Sequence, residues 1–211
     1  VAKLIEALVR GRVGSGQHAA RIVAQVGKIK IEALAPYVNE LVDALNRPEA
    51  QTRWEVLDAL TSLVHLESRS CDKAIAGAET ALFDEDSGPL RLAAMRFLCT
   101  LGATTENRSE KVWPLIDEAF SAITDLEFSD MLTAVTDFSN GKLSDTVKEQ
   151  LAARMKFDAE NSKGALKKRA AQIVENVSVA RAATAPSEGG GSVAAQTGFE
   201  FLVRDDGRRN G

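Results

Sequence analysis

The sequence predicts an all-α fold: a right-handed α-solenoid of about five helix–turn–helix repeats, each 37–39 residues long. Three observations predict it. Five segments align without gaps: Ser15 to Gly27 (SGQHAARIVAQVG), Thr52 to Val64 (TRWEVLDALTSLV), Leu90 to Gly102 (LRLAAMRFLCTLG), Glu127 to Ser139 (EFSDMLTAVTDFS) and Leu166 to Ser178 (LKKRAAQIVENVS). Their starts are 37, 38, 37 and 39 residues apart. Within each, the fifth, sixth, eighth, ninth and twelfth places are apolar or small, which is one face of a helix with period 3.6. The chain also holds 32 alanines in 211 residues with only 5% aromatics, a composition that favours helices packed closely on helices.

A second helix is expected before each segment. Residues 1–11 carry Leu4, Ile5, Leu8 and Val9; residues 32–46 carry Leu34, Val38, Leu41, Val42 and Leu45. Residues 71–83 carry Ala74, Ile75, Ala78 and Leu82, and residues 109–124 carry Trp113, Ile116, Phe120 and Ile123. Residues 144–157 carry Val147, Leu151 and Met155. Pro36 and Pro114 stand 78 residues apart, at the same place two periods on. Both are expected in the first turn or two of their helices, where a missing N–H costs least. Gly11 to Gly14, Arg47–Pro48, Asp84 to Pro89, Asp125 and Ser139 to Gly141 read as the turns. One such helix pair cannot bury its apolar face alone, so the repeats must stack into a continuous core.

The segment LRLAAMRFLCTLG resembles the second helix of a HEAT repeat: an apolar residue and Arg, then paired small residues and a Leu–Gly ending. Arg53, Arg91 and Lys167 hold that family's basic position, and Phe128 departs from it in the fourth repeat. The resemblance, to the HEAT and armadillo-like solenoids, covers about residues 1–180. It implies that the basic residues form a ladder bonded to acidic or carbonyl groups in the turns, with Asp84, Glu85 and Asp86 as partners for Arg91. It also implies a non-enzymatic scaffold or adaptor that binds a protein or peptide along the concave face of the second helices.

On that face the third, fourth, seventh, tenth and eleventh places of each segment stay open. Their charges alternate: Arg21 in the first repeat, Glu55 and Asp58 in the second, Arg96 in the third, Asp130 and Asp137 in the fourth, mostly basic in the fifth. A nucleic-acid phosphate chain needs a continuous basic track, so the alternation argues against it. A partner with its own charge pattern suits it, because charge then sets register and specificity. The expected contacts are Trp54, Asp58, Leu92, Arg96, Arg21 and Asp130. Trp54 and Leu92 share the third place of adjacent repeats, and with the charges around them they have the composition of a binding hot spot. The competing reading packs Trp54 sideways between repeats. Trp113 reads as core, and His18 and His65 as structural or surface residues.

A second function has a local likeness behind it. Trp54 and Asp58, four apart on one helical face, resemble a feature of HEAT-like DNA alkylation-repair glycosylases, in which an aromatic and an aspartate flank the alkylated nucleotide. The resemblance implies an arginine where Leu92 stands and an aromatic near Ile173, and neither is present. Other chemistry lacks its residues. Gly11, Gly14 and Gly16 have neither the strand nor the lysine of a phosphate loop. Two histidines and two cysteines make no catalytic or zinc set, and Asp84, Glu85 and Asp86 are too compact for a calcium loop. No cofactor and no metal are expected.

The net charge is −4 and the pI near 5.4, which argues against general nucleic-acid binding. No apolar run reaches the roughly 18 residues of a membrane span. Lys3, Glu6, Arg10 and Arg12 interrupt any leader-like start, and Cys71 and Cys99 read as reduced thiols of a cytoplasmic protein. The start at Val1 suggests a fragment or processed product, including one part of a longer solenoid.

The composition changes near residue 183, dividing the chain into a repeat array (1–183) and a Gly-rich tail (184–211) that holds 6 of the 15 glycines. APSEGGGS, residues 185–192, reads as a flexible linker. In GFEFLVRDDG, residues 198–207, Phe199, Phe201 and Val203 alternate with Glu200, Leu202 and Arg204 as in a strand. This segment is expected to add to a partner's sheet, to dock in a groove of its own chain or of a neighbouring copy, or to be a disordered end. A native tail and an engineered joint carrying a grafted peptide both fit the Gly-Gly-Gly-Ser run.

Overall fold

A computed structural model describes residues 1–122 and 125–184; the expectations for Ile123 and for residues 185–211 lie outside the described residues. Ten α-helices are described. The first member of each pair is α1 (Ala2–Arg10), α3 (Val38–Ala44), α5 (Ile75–Leu82), α7 (Glu106–Ala122) and α9 (Asp145–Asn161). The second is α2 (Val13–Ile29), α4 (Ala50–Cys71), α6 (Gly88–Gly102), α8 (Asp125–Ser139) and α10 (Gly164–Thr184). The second helices form one continuous layer, α2 on α4, α4 on α6, α6 on α8 and α8 on α10. The first helices make the other layer, with α1 against α3, α5 against α7 and α7 against α9. The expected α-solenoid is the observed fold. Among the described residues there is no strand, and no helix is long and apolar enough to cross a membrane.

The periodic residues build the core. In α4, Val56, Leu57, Ala59, Leu60 and Leu63 are fully buried, and in α6 so are Ala94, Met95, Phe97, Leu98 and Leu101. In α8 the same five places hold Met131, Leu132, Ala134, Val135 and Phe138, all buried. The pattern loosens at the ends: Ile22, Val26 and Val174 are half-buried and Ala171 is exposed. Local signals set the helix boundaries. The Ser87 side chain accepts from the Leu90 N–H and starts α6, with Pro89 in the first turn. Ser144 does the same for α9 through Val147. Gly102 ends α6 at a close crossing: a Cβ there would overlap Val112 Cγ2 and lie 2.9 Å from Phe138 Cε2.

The two prolines are not equivalent, contrary to expectation. Pro36 lies in a 3-10 turn, Ala35–Tyr37, that precedes the short α3. Pro114 lies in the interior of α7, which starts at Glu106, three residues before the expected start. The α4 helix runs on past its segment and changes direction at Glu67 (φ −129°, ψ 38°), and a 3-10 turn, Asp72–Ala74, leads into α5. Two expected turns shrink, because Val13 and Gly14 already belong to α2 and Asp125 to α8.

Candidate interaction surface

The basic ladder is the first feature the side chains form. Arg53 Nη1 donates to Asp84 Oδ2 at 3.2 Å. Arg91 donates through Nη2 to Glu127 Oε1 at 2.7 Å and through Nη1 to the Asp84 carbonyl. Lys167 Nζ donates to the Glu160 carbonyl at 3.0 Å. All three are thus committed to holding turns and adjacent repeats in place. Phe128, in the ladder's place in the fourth repeat, packs edge-on against Phe120 of α7, with ring centroids 5.4 Å apart. The Arg154 guanidinium sits 5.7 Å from the Phe120 centroid. An aromatic contact therefore replaces the cationic one. The repeat period recurs in other polar bonds: Arg108 to Asp72 (36 residues apart), the Ser144 N–H to Ser109 (35), Arg169 to Ser129 (40) and Asn176 to Ser139 (37).

The open places of the second helices are narrower than expected. Ala24, Ala93 and Cys99, three of those places, are buried, because neighbouring second helices close over them. The expected contacts stand as follows. Arg21 is exposed on α2, and its Nε lies 3.9 Å from Glu55 Oε1 of α4. Trp54 on α4 and Leu92 on α6 are half-buried and both pack against the core. Asp58 on α4 is half-buried, while Arg96 on α6 and Asp130 on α8 are exposed. Arg96 and Asp130 line one concavity of about 310 Å3 together with Thr61, Thr100, Thr133 and Asp137. The structure thus brings Asp58, Arg96 and Asp130 onto three consecutive helices of one wall, with Arg21 set apart beside Glu55.

The electrostatics follow from that arrangement. Burial pushes the Asp58 carboxyl above the usual carboxylate range, and the charges of Arg96 and Lys28 pull it back down. Asp130 and Asp137 form no ion pair among the described residues. Asp137 and the threonines were visible in sequence only as open places; that they share a concavity depends on the stacking of α4, α6 and α8. Burial pushes the Cys71 thiol up to about 11, with Asp72 and Glu67 adding to the effect. Cys99 is raised further, by burial and by Asp137. Both cysteines are free and buried, and a protonated buried thiol is a poor nucleophile. Among the described residues no group of three or more His, Cys, Asp or Glu side chains could hold a metal ion. His18 and His65 are exposed and Trp113 is buried.

Layered helix pairs with a polar wall of second helices define a HEAT or armadillo-like repeat solenoid, and solved structures of that class share the fold. A designed armadillo repeat protein, YIII(Dq)4CqI, superposes with a TM-score of 0.68 at 13% identity, over 84% of this chain and 82% of that one. A second, YIII(Dq.V1)4CPAF in complex with the peptide (KR)4, gives 0.68 at 13% identity, over 82% and 80%. A computationally designed armadillo repeat protein for modular peptide recognition gives 0.64 at 12% identity, over 82% and 80%. No family model and no curated protein matches the chain.

Proposed function

We propose that the chain is a non-enzymatic scaffold that binds a protein or peptide segment along the wall formed by α2, α4, α6, α8 and α10. The observation that carries this reading is the concavity between α4, α6 and α8. There, Asp130 and Asp137, which form no ion pair among the described residues, share a concavity with Arg96 and three threonines. Such a surface offers hydrogen bonds and charges of both signs, and no group poised for chemistry. The likeness to armadillo proteins designed for peptide recognition supports the same reading. Trp54 and Leu92 supply the apolar contact, with Asp58, Arg96, Asp130 and Arg21 setting register.

The glycosylase alternative finds little support in these residues. Its late aromatic would have to stand at Ile173, which is fully buried and cannot face a nucleotide. It predicts release of a methylated base from duplex DNA, abolished by Asp58→Asn; no release by a protein shown to be folded removes it. The scaffold reading is tested by affinity capture with mass spectrometry, then titration of the captured partner. Trp54→Ala is expected to weaken that partner by more than about 1 kcal/mol while the array stays folded. An unchanged affinity would remove Trp54 from the site.

A further inference from the structure

The second helices pack back on one another through fixed places of the repeat. Ala59, an eighth place, lies against Gly27 of α2, and Phe138, a twelfth place, against Gly102 of α6. In the second to fifth repeats every eighth and twelfth place is buried. In the first repeat these places are Ile22 and Val26, on the side of α2 turned away from α4, and both are half-buried. Ile29, three residues further along the same stripe, is 84% exposed. Two polar places reach back as well. At the fourth place, Arg169 donates to Ser129 Oγ of α8 at 2.6 Å; in the first repeat that place is His18, exposed and without a hydrogen bond among the described residues. Arg154, 12 residues before the fifth segment, lies 3.6 Å from Asp117 Oδ1 of α7 and donates to Ser121 Oγ. Lys3 stands 12 residues before the first segment, exposed and in no ion pair among the described residues. Residues 1–30 carry six Lys and Arg against one acid, Glu6. The far end differs. Its uncovered places, Ala171 and Val174, are small, and exposed Lys156, Glu160, Lys168 and Glu175 give it charges of both signs, as a solenoid cap has.

We propose that the free side of α1 and α2 is a docking face for an acidic amphipathic helix of a partner protein, laid along α2 as each second helix lies along the next. Its apolar stripe covers Ile22, Val26 and Ile29. It presents a carboxylate to Lys3 and a hydrogen-bond acceptor to His18. Geometry argues for a helix: the uncovered residues hold the very places that a helix covers in every later repeat, and half-buried Ile22 and Val26 need a ridge of side chains to fill the space beside them. Charge argues for an acidic one, because cations outnumber acids six to one over residues 1–30. A second copy fits less well. Two such ends face to face oppose like charges. Stacked on the far end, Lys3 would meet the counterparts of Asp117 and Ser121 one repeat on, which are Lys156 and Glu160, so half of that contact is repulsive. The face lies apart from the concavity between α4, α6 and α8, which stays open when it is covered.

The test uses the full chain and three fluorescein-labelled peptides of 17 residues, the length of α2, followed by anisotropy at low salt. The first carries Leu at the helical period and Glu on the flanks. The second has Lys in place of each Glu, and the third has the first one's residues in an order that destroys the period. The acidic amphipathic peptide is expected to bind at least tenfold tighter than either control. Ile29→Glu and Lys3→Glu, both at exposed positions, are each expected to weaken it at least fivefold with the helical circular-dichroism signal unchanged. Arg96→Glu, in the groove, should leave its affinity as it is. Equal affinities for the acidic and basic peptides, or a loss on Arg96→Glu with none on Ile29→Glu, would overturn the proposal. Phosphatidylserine vesicles that bind the chain through Ile29 while the acidic peptide does not would overturn it too, as would a dimer in sedimentation that Ile29→Glu dissociates.

Discussion

At the scale of single residues, the polar side chains divide into those held by the array and those left open. Arg91 donates to both Glu127 and the Asp84 carbonyl and is largely covered, so Arg91→Ala should cost about 1.5–3 kcal/mol in denaturant unfolding. Arg21 is 63% exposed and 3.9 Å from its partner, so Arg21→Ala should stay within about 0.5 kcal/mol. Equal losses would dissolve the distinction between ladder and groove. Protonation of Asp58 is linked to folding. Its folded pKa is raised, so the ionised group weakens the fold at neutral pH, and that cost disappears as pH falls through the folded pKa towards the unfolded value near 4. Asp58→Asn should therefore be more stable than the parent at neutral pH, with the advantage shrinking in acid; a gap that widens in acid contradicts the burial account. The ladder was legible because Arg53, Arg91 and Lys167 share one place in the repeat. The burial of Cys99 and Ala93 was not, because it depends on how closely two neighbouring helices approach.

At the scale of elements, periodicity located every second helix, while the first helices were read less well. Pro36 and Pro114 occupy the same register, yet one sits in a turn and the other inside a helix. The difference lies upstream. Residues 106–113 already form helix before Pro114, and Trp113 and Val112 anchor it in the core. Before Pro36 the chain makes 3-10 turns, Ile31–Ala33 and Ala35–Tyr37. Close crossings are a second elemental feature that patterning shows only as a Gly at the end of a segment. Gly102 has no room for a methyl between Val112 and Phe138. Gly102→Ala should lose about 1–3 kcal/mol despite the better helix propensity of alanine. A variant as stable as the parent would mean that α6, α7 and α8 are not packed as described. Phe128 shows the converse: the break in the ladder pattern marks an aromatic contact between α7 and α8.

At the scale of the whole molecule, the alternation of charge along the sequence becomes a spatial order across the wall. Asp58, Arg96 and Asp130 stand on consecutive helices α4, α6 and α8. Packed helices lie about 8–10 Å apart, and an extended peptide advances about 3.3 Å per residue. A bound segment should therefore present a new charge at roughly every third residue. The order of signs was readable from the repeat alignment; the concavity that joins Arg96 to Asp130 and Asp137 required the stacked helices. The most direct measurement compares two fluorescein-labelled heptapeptides by anisotropy at low salt. One carries Lys at its first and seventh positions and Glu at its fourth; the other carries the inverse signs. The basic–acidic–basic peptide should bind at least fivefold tighter, and Arg96→Glu should abolish that preference. Equal affinities, or a preference that Arg96→Glu leaves untouched, would contradict the groove as the binding surface.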